Sequence, residues 1–241
     1  MEAFEPKMPN LIPSNNRIEK AYVNLRTMLF RRKTRRTIAD LDKFFEITDQ
    51  SLLVFEEGVK SYLYHDEGRF LSSLKSITTL DEDSNNFRRQ IETSIYSQPA
   101  LSGLSGDILK LLERLNHIIY TMSNDMFQFE VEKPYIPVEL RADYLKLLEL
   151  SVKAASDAIP AARAIFRSPD EVQDTIHRIY FYQREANRQS KELKRKVFQE
   201  MENLKLSEKF HLRYFALHIE DLSSAAMKLA DHLSIMSVRR Y

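Results

Sequence analysis

Long stretches of the chain repeat apolar residues at alternating spacings of four and three. This spacing lines one face of an α-helix and is typical of helices packed in bundles. In the sixth such stretch, the expected apolar stripe consists of Phe210, Tyr214, Leu217, Leu222, Ala225 and Leu229. In the fifth, eight consecutive positions keep the spacing: Val172, Ile176, Ile179, Gln183, Ala186, Ser190, Leu193 and Val197. Its polar middle indicates either a gap beside solvent or another polar seam, or a ligand or metal site inside a bundle.

The pattern predicts six long helices, at residues 37–65, 67–96, 107–127, 138–166, 169–201 and 206–237. Prolines at 134 and 137 separate the first three helices from the last three, because proline stops a helix. A short amphipathic helix is expected at residues 17–30. We therefore predict an all-α fold of two tandem three-helix bundles, 37–128 and 138–241, preceded by a short N-terminal helical arm at residues 1–36.

The two halves of the chain repeat each other in pattern. Residues 85–96 and 187–198 share a leading Asn, then basic residues, then an apolar end. Residues 115–118 can be laid over residues 219–222 in the same way. The repeat predicts two similar bundles packed side by side.

Composition excludes several kinds of protein. The net charge of +1 gives no overall basic signal for nucleic acid. Cysteine is absent, which rules out disulfides and cysteine nucleophiles and fits a reducing compartment. The chain contains no apolar run long enough to span a membrane and no signal-peptide pattern. We expect a cytoplasmic protein.

Five cations stand close together before the first bundle: Arg31, Arg32, Lys33, Arg35 and Arg36. Such a cluster is suited to phosphates or anionic lipid head groups, which would place the protein at the inner face of the membrane. The alternative is a solvated basic turn without a ligand. One short basic run before a neutral bundle is weak evidence for nucleic-acid binding.

Motifs of catalysis are missing from the sequence. The glycine-containing segment at residues 103–106 lacks the Lys-Ser/Thr and the preceding strand of a phosphate-binding loop. No nucleophile elbow or zincin helix occurs, and none of the six histidines pairs with an obvious nucleophile. We therefore expect no enzyme activity.

Four segments, in this order and at this spacing, resemble the PhoU-like family: FFEITDQSLLVFEEGV at 44–59, FRRQIETSIY at 87–96, DILKLLERLNHII at 107–119 and LRADYLKLLELSVKA at 140–154. They are most similar to the variant encoded beside Pit-type phosphate transporters, and the resemblance covers about residues 38–238. It implies six helices in two bundles and a role in regulating phosphate uptake or phosphate signalling.

Relatives in that family often bind metal ions through acidic pairs four residues apart on inward helix faces. The pattern is eroded in this chain. On the third helix, Glu113 is followed four residues later by His117 instead of an acid. On the sixth helix, Asp221 is the one acid left of its pair, because Leu217 stands four residues before it. Asp83 and Glu185 each open a segment that ends in Asn instead of Asp. The resemblance leaves two alternatives: a divalent transition metal at these five residues, or, as the erosion favours, a polar seam without metal.

The resemblance also implies the partners. A phosphate transporter or a signalling protein would bind the chain, with peripheral membrane contact and homo-oligomers both compatible with the sequence. The alternative is a helical-bundle adaptor that has the same fold and no phosphate or metal role.

Overall fold

The computed structural model describes the backbone of residues 15–97, 105–166, 168 and 172–239. Side chains are described at residue 37 and, within those ranges, from 39 to 238. Six helices and no strand occur in the described ranges: α1 (Asn15–Leu63), α2 (Glu67–Tyr96), α3 (Ser105–Glu132), α4 (Val138–Ala164), α5 (Val172–Gln199) and α6 (Leu206–Arg239). The predicted all-α fold is confirmed, while residues 1–14 of the predicted arm and 169–171 of the predicted fifth helix lie outside the described residues.

Helix α1 is longer than the sequence pattern indicates. The short helix expected at 17–30 and the first bundle helix expected at 37–65 form one continuous helix, Asn15–Leu63. No glycine or proline occurs between Pro13 and Gly58, so no residue type forces a break at the basic cluster. Thr37 makes a side-chain hydrogen bond of 3.3 Å with Ser94 of α2, which fixes the register of the two helices.

The turns that end α1 and α3 use a left-handed residue each. His65 has φ 62° and Lys133 has φ 43°, conformations that break helical hydrogen bonding. Asp66 then caps α2 by accepting a hydrogen bond of 3.1 Å from the backbone N–H of Arg69.

The six helices pack in two groups of three around a continuous hydrophobic core. Helices α1, α2 and α3 contact one another, as do α4, α5 and α6, and the groups meet where α3 packs on α6 and α1 on α4. An aromatic cluster crosses this junction. The ring centroid of Tyr62 on α1 lies 4.8 Å from that of Phe129 on α3, and the ring centroid of Phe129 lies 4.5 Å from that of Phe215 on α6.

The heptad stripe of α5 faces this core. Seven of its eight predicted positions are buried, and Gln183 is half-buried. The stripe predicted at the start of α6 is wrong. Phe210 and Tyr214 are 45% and 39% exposed, whereas Leu212 and Phe215 are buried. The later positions of the predicted stripe, Leu222, Ala225 and Leu229, are buried as expected, so the difference is confined to the start of the helix.

Candidate functional site

A chain of polar side chains runs through the first group of helices between α2 and α3. The Ser84 hydroxyl donates to Oδ1 of Asn116 at 3.1 Å, and Nδ2 of Asn116 donates to Oδ1 of Asn85 at 3.2 Å. The Asn85 amide in turn donates to the backbone oxygen of Asp81 at 2.9 Å. Ser84 is fully buried, and these bonds satisfy its polar atom inside the helix pair.

The second group of helices has an equivalent contact between α5 and α6. Nδ2 of Asn187 donates to Oε1 of Glu220. In the sequence repeat, Asn187 corresponds to Asn85 and Glu220 corresponds to Asn116, so the same pair of positions meets in both halves. This agreement supports the repeat at the level of side-chain contacts, although the residue types differ.

The five residues expected to bind metal do not converge. Asp83 is exposed on α2. Glu185 forms an ion pair of 2.6 Å with Arg188 on its own helix. Glu113 and His117 lie at the surface of α3 and Asp221 at the surface of α6, and the side chains of His117 and Asp221 are partly covered. Within the described part of the chain, no three His, Asp or Glu residues are placed to hold a metal ion. The residues present therefore do not fit a metal site of three or four protein ligands.

Three of the five residues, Glu113, His117 and Asp221, nevertheless interact electrostatically where α3 packs on α6. Burial lowers the pKa of His117, and the cations Lys228 and Arg114 lower it further, while Glu113 and Asp221 oppose them. Burial raises the pKa of Asp221. The pKa of His117 therefore lies below its ordinary value, because partial burial and the nearby cations outweigh the nearby carboxylates.

A polar cavity of about 350 Å³ opens beside His117. It lies between α2 and α3, next to the Ser84–Asn116–Asn85 chain. Its lining combines five hydrogen-bond donors with one carboxylate: Arg88, Glu113, Arg114, Asn116, His117 and Tyr120.

A buried acid–histidine pair that the sequence pattern does not predict joins α3 to α6. Nδ1 of His218 lies 2.8 Å from Oδ1 of Asp125, whose side chain is 2% exposed. Burial raises the pKa of Asp125 to about 7, although the bond to His218 lowers it. The same bond raises the pKa of His218, although burial lowers it.

Two further histidines of α6 bond to α3. Nε2 of His211 lies 3.0 Å from Oε2 of Glu132, and Nε2 of His232 lies 2.9 Å from the backbone oxygen of Asp107. His211, His218 and His232 are spaced by seven and fourteen residues, and this heptad spacing was the available signal that they share one helix face. Each bonds to a carboxylate or a carbonyl, which is an arrangement for joining helices.

An apolar cavity of about 410 Å³ lies at the opposite end of the first group, where the α1–α2 turn meets the segment after α3. Tyr62, Phe70 and Phe129 form its inner wall, and the Tyr62 hydroxyl donates to the backbone oxygen of Pro134 at 2.8 Å. Tyr64 and Tyr135, 58% and 68% exposed, stand nearby on the surface.

For the basic cluster, the structure describes the backbone alone. Arg31, Arg32, Lys33, Arg35 and Arg36 belong to α1, and their side chains lie outside the described residues. Among the helices that the structure describes, none has both the length and the apolar character needed to cross a bilayer.

No model of a protein family matches the sequence. Two proteins are similar over nearly their whole length. A UPF0111 protein of Thermotoga maritima is 24% identical over 88% of this chain and 99% of its own. A UPF0111 protein of Pyrococcus horikoshii is 20% identical over 86% of this chain and 98% of its own.

Solved structures match the helical architecture. A PhoU-like protein from Shewanella oneidensis superposes with a TM-score of 0.76 at 16% identity, over 84% of this chain and 99% of its own. A putative PhoU-like phosphate regulatory protein from the same organism superposes with a TM-score of 0.74 at 14% identity, over 84% of this chain and 96% of its own. The phosphate transport system regulatory protein PhoU from Streptococcus pneumoniae superposes with a TM-score of 0.59 at 13% identity, over 86% of this chain and 98% of its own. The chain has the fold of the PhoU-like proteins.

Proposed function

We propose that this chain is an accessory regulator of phosphate transport or phosphate signalling and that it acts by binding a protein partner. The observation that carries the proposal is the extent of the structural match. The match covers 99% of a PhoU-like protein and 96% of a putative PhoU-like phosphate regulatory protein, at TM-scores of 0.76 and 0.74. A match of this extent includes both three-helix groups and their junction.

The polar residues support a regulatory role over a catalytic one. Asn85, Asn116 and Ser84 bond to one another, and His218 bonds to Asp125. A catalytic site instead needs a nucleophile or metal held beside a free acid or base. These groups are engaged in joining helices.

The partner we propose is a phosphate permease of the Pit type, bound at its cytoplasmic face. The five cations of residues 31–36 lie on α1 ahead of the first described contact with α2, at Thr37. Each cation contributes about 1 kcal/mol to attraction by an anionic membrane surface. The cluster would therefore bring the chain to the bilayer in which such a permease sits.

Binding to a reconstituted Pit-type permease tests this proposal. The permease is placed in nanodiscs of neutral lipid, and binding of the purified chain is compared with binding to empty discs of neutral and of anionic lipid. We expect saturable binding to the permease discs and salt-sensitive binding to empty anionic discs. Changing Arg31, Arg32, Lys33, Arg35 and Arg36 to Gln should remove the binding to empty anionic discs.

Two outcomes would contradict the proposal. Equal binding to permease discs and to empty neutral discs would mean that the chain does not recognise the permease, and would favour an adaptor with other partners. Unchanged binding of the five-Gln variant to anionic discs would mean that the basic cluster does not contact the membrane.

A further inference from the structure

The polar cavity between α2 and α3 is lined by Arg114, for which the described part of the chain offers no ion-pair or hydrogen-bond partner. No carboxylate of another described residue lies within ion-pair distance of the Arg114 guanidinium, and no described side chain or carbonyl accepts a hydrogen bond from it. Its Nε is buried without a partner. A guanidinium carries five N–H donors, and leaving buried donors unsatisfied costs free energy.

A second arginine reaches the same cavity from α2. NH1 of Arg88 bonds to Oε1 of Glu92 at 2.5 Å, so part of its charge is balanced, but its Nε is also buried without a partner. Arg88 and Arg114 therefore bring two guanidinium groups from two helices to one cavity. A planar guanidinium binds two oxygens of a phosphate at once, which favours such an anion over a simple halide.

We propose that this cavity binds a tetrahedral oxyanion, either inorganic phosphate or the phosphate group of a larger molecule, with Arg114 as its main ligand and Arg88 as the second. The inference deepens the proposed function by naming a ligand, and its physiological meaning rests on that function. It also assigns a role to the position where the family resemblance implied metal.

The other lining groups suit the same ligand. A ring nitrogen of His117 carries a hydrogen that can be donated, and Tyr120 contributes a hydroxyl on a side chain that is 52% exposed. Lys228 and Asp221 of α6 both act on His117, with opposite charges, so the positive charge of the cavity comes from the two arginines. The volume of about 350 Å³ is at the lower end of ligand-binding pockets and accommodates a small anion with water.

Glu113 separates this proposal from a metal site. It is the one carboxylate among the residues that line the cavity, and its negative charge repels an anion. Glu113→Gln should therefore strengthen oxyanion binding, whereas the same change would weaken a metal site by removing a ligand. The two hypotheses give opposite signs for one substitution.

Isothermal titration calorimetry of the full chain tests the proposal. Sodium phosphate, sodium sulfate and ATP are titrated separately at pH 7.5 and constant ionic strength, with sodium chloride as the blank. We expect saturable binding of phosphate and sulfate and none of chloride. Tighter binding of ATP than of phosphate would identify a phosphate group on a larger molecule as the ligand, and tighter binding of phosphate would identify the free ion.

Variants on neighbouring helix positions supply the controls. Arg114→Gln should weaken phosphate binding by about tenfold or more, since it removes charge-assisted bonds. Arg114→Lys keeps the charge without the guanidinium geometry and should give an intermediate loss. Arg89→Gln makes the same charge change at an exposed position of α2 outside the cavity and should leave affinity unchanged.

The proposal is overturned if the parent shows no saturable phosphate or sulfate binding, or if Arg114→Gln and Arg89→Gln bind phosphate equally. Should Arg114→Gln fail to fold, as judged by its thermal unfolding, the Arg114→Lys and Glu113→Gln titrations decide. Equal affinity of both with the parent would overturn the proposal. Because no permease is present, these results are independent of the nanodisc experiment.

Discussion

Asp125 is a buried carboxylate whose environment differs strongly from that of an ordinary aspartate. It is buried on α3, one carboxylate oxygen bonds to His218, and the other has no hydrogen-bond partner. A buried carboxylate with an unsatisfied oxygen is costly unless a proton or a cation balances it. The pair is therefore held together best when it carries a proton.

The pKa shifts predict how the stability of the protein changes with pH. The pKa values of both Asp125 and His218 are raised in the folded state, so the folded protein keeps a proton that the unfolded chain has released. The stabilisation is complete below the unfolded pKa values and is lost as pH rises through the folded ones. We expect the contribution of this pair to the free energy of unfolding to fall as the pH rises from about 4, the unfolded pKa of Asp125, through about 7, and to fall further through the raised pKa of His218, as measured by urea denaturation.

Asp125→Asn tests which residues cause this loss. Asparagine keeps the shape and accepts a hydrogen bond from neutral His218 but carries no charge, so the pH dependence should flatten. Glu132, Asp221 and Tyr214, which also surround the pair, are unchanged in this variant. His177→Gln, an exposed change on α5, should keep the parent's slope. A parent and an Asp125→Asn variant with the same slope would contradict the account.

In the candidate site, the sequence pattern predicts which segment is polar but not which of its side chains face the neighbouring helix. The polar segment around residues 83–85 was located, but the groups that face α3 are Ser84 and Asn85, with Asp83 exposed. Consecutive residues on a helix point about 100° apart, so an error of one position turns a ligand outward. Asp125 gave no signal because its partner, His218, is 93 residues away in the chain.

Helix α5 was the most predictable element. Its stripe keeps one strict spacing over 26 residues, which fixes a single buried face whatever the neighbours are. Helix α6 begins with two competing apolar stripes, and packing against α3 and α4 selects the one containing Leu212 and Phe215. Periodicity alone does not decide between two such faces.

Ile179 on α5 gives a quantitative test of that stripe. The residue is fully buried, and Ile179→Asp places a charge in the core with no partner. We expect a loss of about 3 to 5 kcal/mol in the free energy of unfolding. Phe181→Asp, two positions away and 50% exposed, is the matched control and should cost under about 1 kcal/mol. Similar losses in the two variants would mean that α5 faces the core differently.

At the scale of the whole molecule, the two groups of helices share one core. Phe129 and Phe215 pack together across the junction, and Arg163 of α4 forms an ion pair of 3.1 Å with Asp49 of α1. The sequence predicted the division into two groups from the prolines at 134 and 137. It did not predict how strongly they are joined, since that depends on contacts between residues distant in the chain.

This shared core predicts cooperative unfolding. Phe215→Ala removes a fully buried ring at the junction and should cost about 3 to 5 kcal/mol while the protein still unfolds in one transition. Circular dichroism and tyrosine fluorescence should give the same urea midpoint. Two separate transitions in the parent would show instead that the groups of helices unfold independently.

If this chain regulates phosphate handling, as we propose, the initial rate of phosphate uptake should depend on it. Uptake of radiolabelled phosphate is measured at low and high external phosphate in cells that make the protein, in cells lacking its gene and in cells with the gene restored. The account predicts that loss of the gene changes the uptake rate, or its response to external phosphate, and that the restored gene returns it to the parental value. Identical uptake in all three strains at both phosphate levels would contradict it.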